Sequence, residues 1–288
     1  MDKVTIEGKK NKTSGKFLQK AITADAGKRG RMVFLAVLIS LSLFLMRAFN
    51  IWEVSALSDL AVKVFAFGLF TFITLIWSFR FAINWRSLFV VIPQSVVVVM
   101  GFVLFIEMFF FRKFDRLSDF FVLFAVWGGG FMTLYVSFLM TNIFNVSMFK
   151  ELPLKQVAKT TSYILSLIMV YLFSFSFLAM QLHFTLTAIM LFIVYGVIIY
   201  THFYHLNLSK KNLINALVVV LVGMLASIVS FMFIGSRHEI IALMPTAVAF
   251  SVIGITMHKT RTEGLSDVHQ FEYIFVYLAI LVLNLLVA

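Results

Sequence analysis

Nine stretches of this chain are almost continuously apolar, and each is close to 20 residues long. They run over 32–52, 60–79, 87–111, 120–141, 161–182, 186–205, 212–234, 240–257 and 269–288, about two thirds of the chain. A helix needs roughly 20 such residues to cross about 30 Å of hydrocarbon. Inside lipid, each backbone polar group must be satisfied within its own segment or within a closed barrel. A barrel would show shorter segments of alternating polarity. The pattern therefore predicts an all-α fold: a polytopic integral membrane helix bundle of about nine transmembrane helices with short loops. Residues 1–31 would form a basic tail and 32–288 the transmembrane domain.

Composition closes the soluble alternatives. Apolar residues make up 61% of the chain and charged residues 13%, against about 25% charged in a soluble domain. The 45 residues 161–205 are too many for one crossing. The break is expected at Gln181-Leu182-His183, the most polar point, although no Gly or Pro marks a turn there.

Basic residues set the expected orientation. With nine crossings, 18 of the 24 Lys and Arg fall in the tail or in the connections on the tail's side. The other side holds Arg112, Lys113, Arg116 and Arg237, with Arg47 and Lys63 inside nearby runs. This predicts a plasma or inner membrane protein, with the amino terminus in the cytoplasm and the carboxyl terminus outside. The first run is too long, and its preceding tail too large, for a cleaved signal peptide.

Within the tail, Phe17, Leu18, Ala21 and Ile22 share one helical face flanked by Lys16 and Lys20. Such a face suits an anionic leaflet, so anionic lipid headgroups are expected partners beside the bilayer itself. A plain solvated leader fits as well. The net charge of +11 does not point to nucleic acid, because the tail has one aromatic, Phe17, for stacking.

Several chemistries lack their residues. There is no cysteine, which removes disulfides, thiolate metal sites and cysteine nucleophiles. The zinc-hydrolase pattern H-E-x-x-H begins at His238-Glu239 and fails at Ala242. Gly8 to Lys16 lacks the spacing of a phosphate-cradling loop. No G-x-S-x-G elbow occurs. No cofactor is expected.

The costly groups are the ionisable ones inside the runs. Arg47, Lys63 and Glu107 come from three consecutive runs and fall at one shallow depth on the outer side. Trp127 lies a little deeper, beside Gly128-Gly129-Gly130. Asn50, His183, Arg237, His238 and Glu239 could line the mouth above. One reading is an outward pocket: Arg47 and Lys63 clamp an anionic lipid headgroup or lipid-linked anion, with Glu107 as acid, base or counter-ion. The other has the long basic side chains snorkel to the interface, with Glu107 pairing to one of them.

On the inner edge, His202 and His205 share a helical face, as do His269 and Glu272, and His258 lies near. These five are weak candidates for a metal site, and no metal is expected. They equally suit interfacial anchors beside Tyr200, Tyr204 and Tyr273. Gly223 with Ser227, and Ala247 with Ser251, carry the small-xxx-small spacing of close helix contacts.

Three functions fit this pattern. A non-catalytic scaffold or complex subunit, partnered by other membrane proteins, is preferred because no motif requires catalysis. An enzyme or binder of an anionic headgroup would use the outer cluster. A transporter or channel is disfavoured, because the mid-depth of the runs holds no carboxylate and the two halves show no repeat.

Overall fold

The structure is a computed structural model that describes residues 26–49, 51–79, 83, 85, 87–109, 117–147, 155–206, 208–232, 237–259 and 267–287. The tail readings before residue 26, and Asn50, lie outside them. The elements are α1 (Ala26–Ala48), α2 (Leu57–Ser78), a π-helical segment (Ser87–Val91) leading into α3 (Ile92–Phe109), α4 (Leu117–Ser147) and α5 (Lys155–Ala179). They continue with α6 (Phe184–His205), α7 (Lys210–Met232), the short α8 (His238–Ile241), α9 (Leu243–Lys259) and α10 (Asp267–Val287). Among the described residues, eight spans are long and apolar enough to cross a membrane, and α10 contributes a ninth, shorter apolar stretch, Phe271–Val287. The protein is a multi-pass, all-helical membrane bundle.

Two spans form the centre. Ser87–Phe109 is 67% buried and Gln156–Ala179 61% buried, whereas Ser118–Ser147 is 28% buried. α3 touches α2, α4, α5 and α6, and α5 touches α3, α4, α6 and α9. α1 packs on α4 more extensively than on its chain neighbour α2, and α10 leans mainly on α9. The outer helices turn large apolar residues outward, such as Phe65, Phe121 and Phe275, where they meet lipid.

Helix ends follow local chemistry. Pro93 has no N–H for the Phe89 carbonyl, and its ring would press on that oxygen in a regular α-helix. The chain widens to a π-turn over Ser87–Val91 just before it, a standard accommodation. Pro245 acts likewise: the helix stops at Ile241, four residues earlier, and restarts at Leu243. The break expected at Gln181-Leu182-His183 is present between α5 and α6. Gln181 makes the turn at φ 50° without a glycine. A left-handed backbone costs a β-carbon residue about 1–2 kcal/mol. Gln181 is exposed, so Gln181→Gly is expected to raise unfolding stability by about 1 kcal/mol, part of that strain, as a higher thermal midpoint in detergent.

Run boundaries shift by up to six residues: α1 begins at Ala26 rather than 32, inside the expected tail, and α5 at Lys155 rather than 161. α1 ends at Ala48 rather than at 52, so Arg47 stands in its last turn. α4 continues to Ser147. It passes unbroken through Gly128-Gly129-Gly130, which therefore do not interrupt the helix. The small-residue pairs mark a real contact: a β-carbon on Gly223 of α7 would lie 3.1 Å from Val248 of α9. Ser251 Oγ donates to the Tyr273 carbonyl of α10 at 3.0 Å.

Candidate functional site

The Arg47, Lys63 and Glu107 cluster is assembled by three helix ends and one loop. At the start of α2, the Asp59 carboxylate accepts from the Ser55 hydroxyl at 2.7 Å and from the Ser55 and Ala56 backbone N–H groups at 3.3 and 3.2 Å. This satisfies donors at the chain's entry into the helix and places negative charge at its positive end. It also pins the loop that carries Trp52. Trp52 has φ 60°, and its carbonyl accepts from Lys63 Nζ at 3.3 Å. Its ring centroid lies 5.9 Å from the same ammonium.

Lys63 Nζ also donates to Glu107 Oε1 at 2.8 Å. Arg47 Nη1 lies 3.6 Å from Glu107 Oε2. Each carboxylate oxygen thus has its own cation, one from α1 and one from α2. Lys63 is 1% exposed and the Glu107 side chain 3%. These groups fold inward onto one another and do not snorkel. Helix polarity explains part of the arrangement. Arg47 at the end of α1 suits the negative pole, whereas Glu107 in the last turn of α3 opposes it. The two cations offset that opposition.

A cavity of about 70 Å³ adjoins the cluster, lined by Arg47, Trp52, Glu53, Lys63, Glu107 and Met108 with four apolar neighbours. Trp52 and Glu53 escaped the sequence reading. The Ser55/Asp59 cap was their only trace, because a loop's return path leaves no periodicity. Trp127 is not in this lining. It packs among Phe44, Phe124 and Phe131, with centroids 6.1, 5.2 and 6.4 Å away, and so braces α1 against α4 one turn below Arg47. His183, at the N-cap of α6, and Arg237, His238 and Glu239, at the start of α8, also lie outside the lining.

The histidines divide. His202 and His205 are buried inside the bundle, at 0% and 6% exposure. His202 Nδ1 is 3.1 Å from Ser162 Oγ, and Ser162 Oγ accepts from Gln94 Nε2 at 2.7 Å. His205 stacks on Phe144 at 3.6 Å between centroids. His258 closes α9 and Glu272 is exposed on α10; the His269 side chain lies outside the described residues. Among the described residues no three His, Asp or Glu come together as a metal-binding group. Next to Gln94, Ser95 Oγ meets Ser137 Oγ at 2.8 Å and Thr141 Oγ1 at 2.5 Å. Sequence reading missed this buried polar layer. Neutral Ser, Thr and Gln in an apolar run give no cost signal comparable to a charge.

Comparison with known proteins returns no matching family model, no matching curated protein and no matching solved structure.

Proposed function

We propose that this membrane protein is a non-catalytic scaffold or complex subunit, and that the outer cluster is a tie holding α1, α2 and α3 together. The observation that carries this reading is the closure of Glu107: both of its oxygens face cations of other helices. To act as an acid, a base or a ligand clamp, the cluster would have to give up contacts that hold the bundle. The cavity beside it, about 70 Å³, is less than half the roughly 150 Å³ that takes up a benzene-sized guest. A sugar or phosphodiester headgroup exceeds that.

In this proposal the basic tail, residues 1–31, lies in the cytoplasm and meets anionic headgroups and a partner membrane protein. A second reading, binding of a lipid-linked anion, is favoured only by Arg47 and Lys63 lining an outward cavity. Affinity purification in mild detergent separates the two. The full chain is expected to carry a partner in fixed stoichiometry, lost when residues 1–25, the part of the tail that precedes α1, are removed and kept when Arg47, Lys63 and Glu107 are all changed to Met. Absence of any such partner sinks the scaffold reading. A lipid anion seen by native mass spectrometry on the full chain, and missing from the triple variant, would establish the second.

A further inference from the structure

We infer that Gln94, Ser162 and His202 form a buried binding site for one small neutral molecule that both donates and accepts hydrogen bonds, and that its occupant in the membrane is water. The three residues come from α3, α5 and α6 and are 4%, 0% and 0% exposed. Gln94 Nε2 donates to Ser162 Oγ at 2.7 Å. Among the described residues Ser162 Oγ finds no acceptor other than His202 Nδ1, 3.1 Å away, so we place its proton there. The imidazole proton then sits on Nε2.

Two groups are left over. His202 Nε2–H is a donor and Gln94 Oε1 an acceptor, and neither finds a hydrogen-bond partner among the described residues. Leaving buried polar groups unmet is costly, and proteins usually resolve it with an internal water making two to four hydrogen bonds. Here the occupant must accept from an N–H and donate to a carbonyl oxygen, which a water molecule does.

Other occupants fit less well. A divalent metal would need further His, Asp or Glu ligands, and no such group exists among the described residues. A charged imidazolium would need a facing carboxylate. The ring neighbours of His202 are instead Tyr163, 6.0 Å away, and Phe203, and the charge acting on it is the cation Lys159. The adjacent Ser95, Ser137 and Thr141 hydroxyls are already hydrogen-bonded, so of these two neighbouring groups it is Gln94–Ser162–His202 that has unmet capacity.

The test uses the full chain in lipid vesicles, labelled with ¹⁵N-histidine, and solid-state NMR. The chain has six histidines, and loss of one signal in His202→Gln identifies the relevant resonance. The expected result is an Nε2-protonated neutral imidazole with a cross-peak from Nε2–H to water. In Ser162→Ala the Nδ1-protonated tautomer should appear beside it. This second variant also identifies the resonance if His202→Gln fails to insert. A dry Nε2–H, a proton held on Nδ1 in the wild type, or an imidazolium overturns the proposal.

Discussion

Glu107→Gln is expected to be the most damaging single change to the fold. The carboxylate faces Lys63 and Arg47, both buried. An amide of the same shape leaves two desolvated cations without their counter-charge. Removing one partner of a buried ion pair costs about 3–5 kcal/mol. For a domain of this size each kcal/mol moves the thermal midpoint by roughly 2–4 °C, so a drop on the order of 10 °C is expected in detergent. The informative comparison is the triple Met variant at positions 47, 63 and 107. Replacing an entire buried ionic group with packed apolar residues is often neutral or stabilising. The triple variant should therefore recover most of the loss caused by Glu107→Gln alone. If Glu107→Gln melts with the wild type, the tie carries no load, and the cluster must be explained by a ligand.

Two neighbouring glycines should respond to alanine with opposite signs. A β-carbon on Gly130 would sit 1.8 Å from Phe102 Cζ, and one on Gly129 would meet nothing within 4 Å. Both lie inside α4, so each gains up to about 1 kcal/mol in helix propensity from alanine. At Gly129 that gain stands alone, and stability should rise. At Gly130 the Phe102 ring must move within a packed interface, at a cost of about 1–3 kcal/mol or more. The net expectation is a loss of about 2 kcal/mol for Gly130→Ala at the upper end of that cost. Phe102→Leu should relieve part of it in the double variant. Equal midpoints for the two alanine variants would contradict the close approach of α3 and α4.

How far the sequence could be read follows from which costs are visible in it. A charge in an apolar run is expensive wherever it points, so Arg47, Lys63 and Glu107 stood out and prove to be neighbours. Their shared depth came from counting along runs. The true helix ends differ by several residues, and the folding of the 49–56 loop onto Lys63 was not legible. Trp127 was read as lying a little below the cluster, and its absence from the lining was not legible. Gln94 and Ser162 gave no warning, because a neutral side chain becomes costly only once burial removes its other partners. His202 and His205 were read from their position near a run's end, and nothing along the chain shows that α5 packs on the first and Phe144 of α4 on the second.

The amino-acid order alone determined that this chain crosses a bilayer as helices and broadly where each crossing starts and stops. Hydrocarbon permits no other economical way to satisfy so many consecutive apolar residues and their backbone. Only the tertiary structure decided which helices touch. It paired α1 with α4, buried α3 and α5 at the centre, and brought Gln94, Ser162 and His202 together across 68 and 40 residues of chain. The physical reason is that lipid tails are as apolar as leucine, so one face of a span is not driven inward by hydrophobicity. Side-chain fit and a few polar contacts choose the neighbours, and neither has a period that can be read along the chain.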